Sequence, residues 1–231
     1  YRSGLENISI DLIYGLPEQD LDGWTKDVKR ALQLPVSHLS AYALTYEEDT
    51  ALWRMLQKGQ VRETDDEQSL QMYEVLLRLT SQAGFEHYEI SNFSLPGKFS
   101  RHNSSYWQGV PYIGCGPGAH SFSGALRRQN TPDLKSYIDN AGSPPHSIEN
   151  LSEDEKCNEL IFTSLRTRGG LSLKKMNNLF GEEKTAALLR LAQRHLESGR
   201  LLLEDGWLRL SQKGLFVSDD IMSDLMFVDE E

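Results

Sequence analysis

Cysteine is scarce in this chain: Cys115 and Cys157 are the only two among 231 residues. Their separation matches no C-x-x-C pair and no zinc-ligand spacing, which excludes a disulfide-stapled miniprotein or a zinc ribbon and fits a reducing, cytoplasmic setting. Long apolar runs are missing too. None approaches the ~20 residues that a membrane-spanning helix needs. Basic residues are outnumbered, with 24 Lys and Arg against 34 Asp and Glu and a net charge of -10. A protein whose main task is gripping phosphates carries the opposite balance, so nucleic acid is not an expected partner. The chain opens on Tyr1 rather than Met, no signal-peptide pattern follows, and residues 5–14 read at once as a strand. That pattern is expected of a fragment or truncated form joined in the middle of a fold.

With 39% hydrophobic and 25% charged residues, 18 Gly and 8 Pro, the composition suits one large or two modest domains with real cores. Internal repeats and low-complexity tracts do not occur. Ile8, Ile10, Leu12 and Ile13 form a near-continuous apolar strand ending at Tyr14-Gly15-Leu16-Pro17, the pattern of a strand covered on both faces in a parallel sheet. Asp20 can cap a helix that carries Trp24, Val28 and Leu32 at helical spacing and stops at Pro35. A second strand over 38–44 completes a strand–helix–strand unit. The charged excursion 52–64 precedes a helix over 66–83, closed by Gly84, and a short strand over 85–90. Residues 91–125, rich in Ser, Gly, Asn and aromatics, read as irregular but structured. The stretch Ala141-Gly-Ser-Pro-Pro-His-Ser is the expected boundary, giving one domain over 1–140, a linker over 141–150 and a second domain over 151–231. In that second domain Ser152 caps a helix to about Thr167, and Gly169-Gly170 turns the chain. Helices over 172–179 and 182–198 follow, then a hairpin around Asp205-Gly206 and a last helix from Ser211. Helices plus a two-stranded wing describe a winged-helix-like α+β domain. Its 11 Lys and Arg against 15 Asp and Glu lack the basic recognition face of a duplex binder, so its expected role is to cover the first domain or dock a protein.

Few residues announce chemistry. Asp11 lies inside an apolar strand, where a carboxylate either faces a ligand or is bonded to a neighbouring strand or loop; in parallel α/β barrels the strand ends that follow it carry the active site. Arg101-His102-Asn103-Ser104-Ser105-Tyr106-Trp107 is the densest polar and aromatic cluster. A neutral imidazole flanked by aromatics suits an iron ligand beside a flat apolar cofactor, while the same residues also suit a packed loop. Gly114-Cys115-Gly116-Pro117-Gly118 is neither a P-loop nor a dinucleotide-binding fingerprint. Cys115 reads as a small buried residue by default. On the strand His87-Tyr88-Glu89, alternation puts His87 and Glu89 on one face, as part of a cross-strand polar pair.

Taken together, Ile10-Asp11-Leu12-Ile13-Tyr14-Gly15-Leu16-Pro17 and His38-Leu39-Ser40-Ala41-Tyr42 resemble the oxygen-independent coproporphyrinogen III oxidase branch of the radical SAM enzymes. His87-Tyr88-Glu89-Ile90-Ser91-Asn92-Phe93 and His102-Asn103-x-x-Tyr106-Trp107 resemble its HemW subgroup of haem chaperones, and Gly114–Ser121 with the winged-helix tail extends the resemblance over nearly the whole chain. The resemblance implies an α/β fold, the C-terminal part of a partial (β/α) radical SAM barrel followed by the winged-helix-like domain. It implies a [4Fe-4S] cluster and S-adenosylmethionine in the full-length parent, with Asp11 and Thr45 contacting S-adenosylmethionine. It also implies haem on His102, with Tyr106 and Trp107 as its motif partners, and delivery of that haem to apoproteins. The alternative activity is oxidative decarboxylation of porphyrinogen propionates. The family's C-x-x-x-C-x-x-C cluster motif is absent from this chain, so no cluster ligands are expected in it and radical chemistry is not expected of it alone. Its first strand is expected to be a free edge, which invites a dimer.

Overall fold

The computed structural model describes residues 3–140 and 142–228; Tyr1, Ala141 at the head of the expected linker, and the last residues of the expected second domain lie outside them. The chain forms two compact units, Tyr1–Ser100 and Arg101–Glu231.

The first unit starts with β1 (Ser9–Tyr14), α1 (Leu21–Leu32) and β2 (His38–Ala43), and β1 and β2 pair in parallel from Ser9↔His38 to Tyr14↔Ala43. Asp20 caps α1 as its sequence position requires, accepting from the Gly23 amide at 2.7 Å. Two helices follow, α2 (Ala51–Gln57) and α3 (Asp66–Gln82), then β3 (Glu86–Glu89) and β4 (Asn92–Ser94). The sheet order is β1-β2-β4-β3, with β4 antiparallel to both neighbours.

The two faces of this sheet differ. Leu39, Ala41 and Phe93 lie on the side of α1 and α3, in a core with Trp24, Val28, Met72, Leu76 and Leu79. Trp24 is 1% exposed, and its indole N–H donates to the Met72 carbonyl at 2.8 Å, so burying the ring leaves no orphan donor. The opposite face carries Ser9, Asp11, His38, Ser40, Asn92 and Ser94, fixed on one side by the strand registers. The expectation of a β1 strand covered on both faces is therefore corrected: Ser9, Asp11 and Ile13 are exposed, because β1 ends the sheet and only its helix side is packed.

In the second unit, α4 (Arg101–Trp107) leads to β5 (His120–Phe122), β6 (Leu126–Asn130), α5 (Leu134–Asp139) and β7 (His146–Asn150). These three strands form an antiparallel sheet in the order β5-β6-β7. The expected linker is corrected here. Residues 146–150 pair along β6 from Asn130↔His146 to Leu126↔Asn150, so the proline pair belongs to a connection within one sheet. The irregular reading of 91–125 gives way likewise at α4, β4 and β5. The remaining elements are α6 (Glu153–Leu165), β8 (Leu171–Ser172), α7 (Leu173–Glu197), β9 (Leu201–Glu204), β10 (Trp207–Leu210), α8 (Gln212–Leu215) and α9 (Ser218–Asp224). Ser152 and Glu155 close a capping box at the start of α6. Gly181, at φ 83°, breaks α7 where the sequence reading separates two helices. Asp205 and Gly206, at φ 51° and 77°, make the tight hairpin of β9 and β10, and the second sheet reads β8-β10-β9. Ile161, Leu165, Leu171, Met176, Leu188 and Leu208 form its core.

Candidate functional site

Each unit holds one group of the residues that the sequence singles out. In the first, Asp11 pairs in register with Ser40, Ser40 with Asn92, and Asn92 with Glu89, so a polar row runs across the whole sheet on the face away from the helices. Asp11 is exposed, whereas Ser40, Asn92 and Glu89 are buried. The Glu89 carboxylate accepts from the Ser91 amide at 3.1 Å and from the Asn92 side-chain amide. That leaves Asn92 Oδ1 as a buried acceptor without a hydrogen-bond partner. One row along, the His38 ring lies 2.8 Å from Ser9 Oγ through Nδ1 and 2.7 Å from the Tyr88 hydroxyl through Nε2. Tyr88 also accepts from the Ser100 amide at 3.3 Å and stacks on Phe99. Burial holds the His38 pKa below the usual imidazole value, with the Asp11 carboxylate pulling the other way, and burial raises that of Tyr88.

His87 and Glu89 do not share a face, contrary to simple alternation. A bulge between them turns His87 onto Phe93, with ring centroids 4.6 Å apart, while Glu89 reaches Asn92. Thr45 is exposed and stands five residues beyond Ser40, past the end of β2, so it is not a neighbour of Asp11 in the sheet. Asp11 sits before the carboxyl end of its strand, with an unblocked carboxylate suited to accepting hydroxyl donors.

In the second unit the motif residues lie on a helix, not in a loop. On α4, His102 and Tyr106 are one turn apart and meet edge to face at 4.9 Å. Tyr106 meets Tyr112 in the same manner at 4.8 Å, and Tyr112 leads on to Phe122 at 6.0 Å. The His102 imidazole is exposed, and among the described residues neither ring nitrogen has a hydrogen-bond partner. Trp107 lies under the Arg166 guanidinium, 4.9 Å from ring centre to Cζ. Its indole nitrogen is buried without an acceptor.

Beside these rings lies a cavity of about 780 Å³, walled by Tyr106, Trp107, Tyr112, Phe122, Phe162 and Phe180. Lys156, Lys175, Arg127, Glu153 and Glu159 supply its charges. The cavity is invisible in the sequence, because α6 and α7 contribute one wall from more than forty residues beyond the motif. The glycine-rich turn has a structural task. Asn130 Nδ2 donates to the Gly116 carbonyl at 3.0 Å, the Gly114 amide donates to Ser121 Oγ at 3.0 Å, and the Gly116 amide donates to the Tyr137 hydroxyl at 3.1 Å. Cys115, contrary to the default reading, is exposed. Cys157 is buried beside Met176 Sδ at 3.8 Å, and burial pushes its thiol up to about 11. Among the described residues no three His, Cys, Asp or Glu side chains converge as a metal site, and no helix is long and apolar enough to cross a membrane.

Comparison of the whole fold with solved structures gives a TM-score of 0.75, at 20% identity, to the radical SAM enzyme coproporphyrinogen III oxidase (HemN) of Escherichia coli, over 97% of this chain and 56% of that one. The class is thus a mixed α/β protein with the HemN fold. A family model described as the HemN C-terminal domain matches residues 151–217. The heme chaperone HemW of Bacillus subtilis is 32% identical over 221 residues, 94% of this chain and 58% of that protein. HemW of Mycobacterium tuberculosis strain H37Rv is 34% identical over 226 residues, 96% of this chain and 56% of that protein. The mitochondrial radical S-adenosyl methionine domain-containing protein 1 of Bos taurus is 32% identical over 239 residues, 95% of this chain and 53% of that protein. Over nearly its whole length the chain is similar to these HemW proteins and to their mitochondrial relative. It spans a little over half the length of these relatives.

Proposed function

We propose that this chain supplies the haem-binding part of a haem chaperone, which holds haem on His102 and hands it to apoproteins in the cytoplasm. The observation that carries this reading is the His102 imidazole, presented to solvent on α4 with both nitrogens unengaged among the described residues and braced by the edge-to-face contact with Tyr106. An imidazole whose nitrogens make no hydrogen bond keeps a lone pair available for an axial bond to iron. Exposure suits a carrier that must release its cargo to another protein. The names of the HemW relatives support the same reading.

The parent's cofactors divide on the residues present. The polar face of the first unit fits S-adenosylmethionine in its chemistry: Asp11 would accept its two ribose hydroxyls, and Thr45, beyond the end of β2, would add a contact. When bound beside a cluster, S-adenosylmethionine supplies a radical that begins hydrogen abstraction. The [4Fe-4S] cluster does not fit these residues, since it needs several thiolates and Cys157 is buried and protonated against Met176. We read the parallel β1–α1–β2 unit as part of a radical SAM barrel, and α6, α7 and the β9–β10 hairpin as a winged-helix-like domain. The free edge of β1 is where a dimer would form.

The reading is tested by titrating the chain with haemin and following the Soret band, beside His102→Ala. Saturable 1:1 binding, lost or strongly weakened in the variant, is the expected result. Unchanged binding in His102→Ala overturns His102 as ligand and returns weight to the alternative, decarboxylation of porphyrinogen propionates.

A further inference from the structure

The segment after α9 is tied down at its base and latched further on, with a stretch of cavity wall between. At the base, the Asp224 carboxylate pairs with the Arg194 guanidinium and lies 2.9 Å from His195 Nε2, which pins the end of α9 to α7, and Leu225 is fully buried. Met226 then lines the cavity. Phe227 is held by a single side chain: the Asn158 carboxamide accepts from its amide at 2.8 Å and donates to its carbonyl at 2.7 Å. The Lys184 ammonium lies 5.7 Å from the Phe227 ring centre while pairing with Glu153 and Asp154 at the start of α6. Val228 is 83% exposed, so the chain passes from the cavity wall out to solvent within three residues. Asn158 and Glu153 themselves line the cavity. A ligand that recruits the Asn158 carboxamide therefore competes with Phe227 for it.

We propose that Met226–Val228 is a strap that gates the cavity, with Asn158 as its latch and Lys184 as a second, weaker catch. Opening carries Met226 out of the wall while Asp224 and Leu225 hold α9 in place. Net hydrogen bonds are modest, and a segment held by two of them opens far more readily than the helices around it. That suits an entry which must work without unfolding α6 or α7. The gate is independent of what occupies the cavity, and of His102, which does not line it.

The test places a thiol inside the cavity and follows its labelling by dithionitrobenzoate in the full chain. Thr163→Cys, on the α6 wall, supplies the reporter, and Cys115→Ser removes the exposed thiol. Adding Asn158→Ala should speed labelling at position 163 about tenfold or more, the size of two lost hydrogen bonds. Adding Lys184→Met instead leaves the latch in place and should speed it about two- to fivefold, the size of one cation–π contact. Cys157 adjoins Asn158 in sequence but packs on Met176 in the core, so its slow labelling should not change in either variant. An unchanged rate at position 163 in a folded Asn158→Ala chain overturns the strap. So does a rise there that Cys157 matches, since α6 would then be loosening as a whole. A rise confined to Asn158→Ala supports the gate with Asn158 as its only latch. If circular dichroism shows Asn158→Ala unfolded, Lys184→Met decides: a faster rate at position 163 alone supports the strap, and an unchanged one overturns it.

Discussion

The Nε2 atom of His38 lies 2.7 Å from the Tyr88 hydroxyl across the polar face of the first sheet, on a ring whose Nδ1 also engages Ser9. Tyr88 in turn accepts from the Ser100 amide, so one buried imidazole ties β1, β2, β3 and the last residue of the unit into a single hydrogen-bonded chain. Burial favours the neutral ring.

A pH dependence follows from that arrangement. Because the folded-state pKa of His38 is held below its ordinary value near 6.5, the unfolded chain binds the proton first as pH falls. The stabilisation is complete above about 6.5 and declines as pH drops through the folded value. Urea unfolding at pH 7.5 and 5.5 should show a larger loss on acidification for the wild type than for His38→Phe. The variant should also be less stable at pH 7.5 by about 1–3 kcal/mol, since it leaves the Ser9 and Tyr88 hydroxyls short of a partner. An equal pH response in both proteins would show that His38 does not titrate in this window.

The two thiols should separate cleanly in labelling. Cys115 is exposed, whereas Cys157 is buried with its thiol pushed up to about 11. The thiolate is the reactive form, so a thiol-exchange reagent at pH 8 should modify the native chain once, at Cys115, and a second time only after unfolding. Cys115→Ser should abolish the fast phase. Rapid modification of Cys157 in the folded chain would contradict its packing against Met176.

Gly114 has a steric role that its neighbours in the turn lack. A Cβ there would lie 2.1 Å from the His120 carbonyl oxygen, a backbone atom that cannot swing aside. At Gly116, by comparison, a Cβ would meet nothing within 4 Å, and the obstacle is a φ of 112°. Gly114→Ala should therefore cost about 1–3 kcal/mol or more by overpacking, read as a shift in the thermal midpoint, while Gly142→Ala, with open space and no positive φ, should be nearly neutral.

Local chemistry was what could be read in the sequence. Asp20, Ser152, Gly84 and Asp205-Gly206 mark helix and hairpin ends through groups that act within a few residues, and each lies where its chemistry puts it. The short strands escaped for a physical reason: β7, His-Ser-Ile-Glu-Asn, is exposed along its whole length and shows no apolar alternation. His87 and Glu89 were misplaced by a bulge that no glycine announces. Exposure of Asp11 depends on β1 ending the sheet, which no residue of β1 encodes. The motif around His102 was legible as a cluster, but its helix was not, and Lys156 and Lys175 join it only through tertiary packing.

Asp11 offers the last test, because its two roles move different observables. Its carboxylate favours the protonated form of His38, against the effect of burial. Removing that charge with Asp11→Asn should let the His38 pKa fall further, visible by NMR titration of the ring protons. Stability at neutral pH should change by no more than about 0.5 kcal/mol, as for an exposed side chain outside any hydrogen-bonded network. With a lower folded value, the loss on acidification begins at the same unfolded pKa and continues to lower pH, so the variant should be more acid-sensitive than the wild type. If Asp11 also receives ribose hydroxyls, weakened binding of S-adenosylhomocysteine to the variant would appear without any loss of fold. An unchanged His38 titration would mean that solvent screens the two groups on this open face, leaving ligand binding as the only role for Asp11.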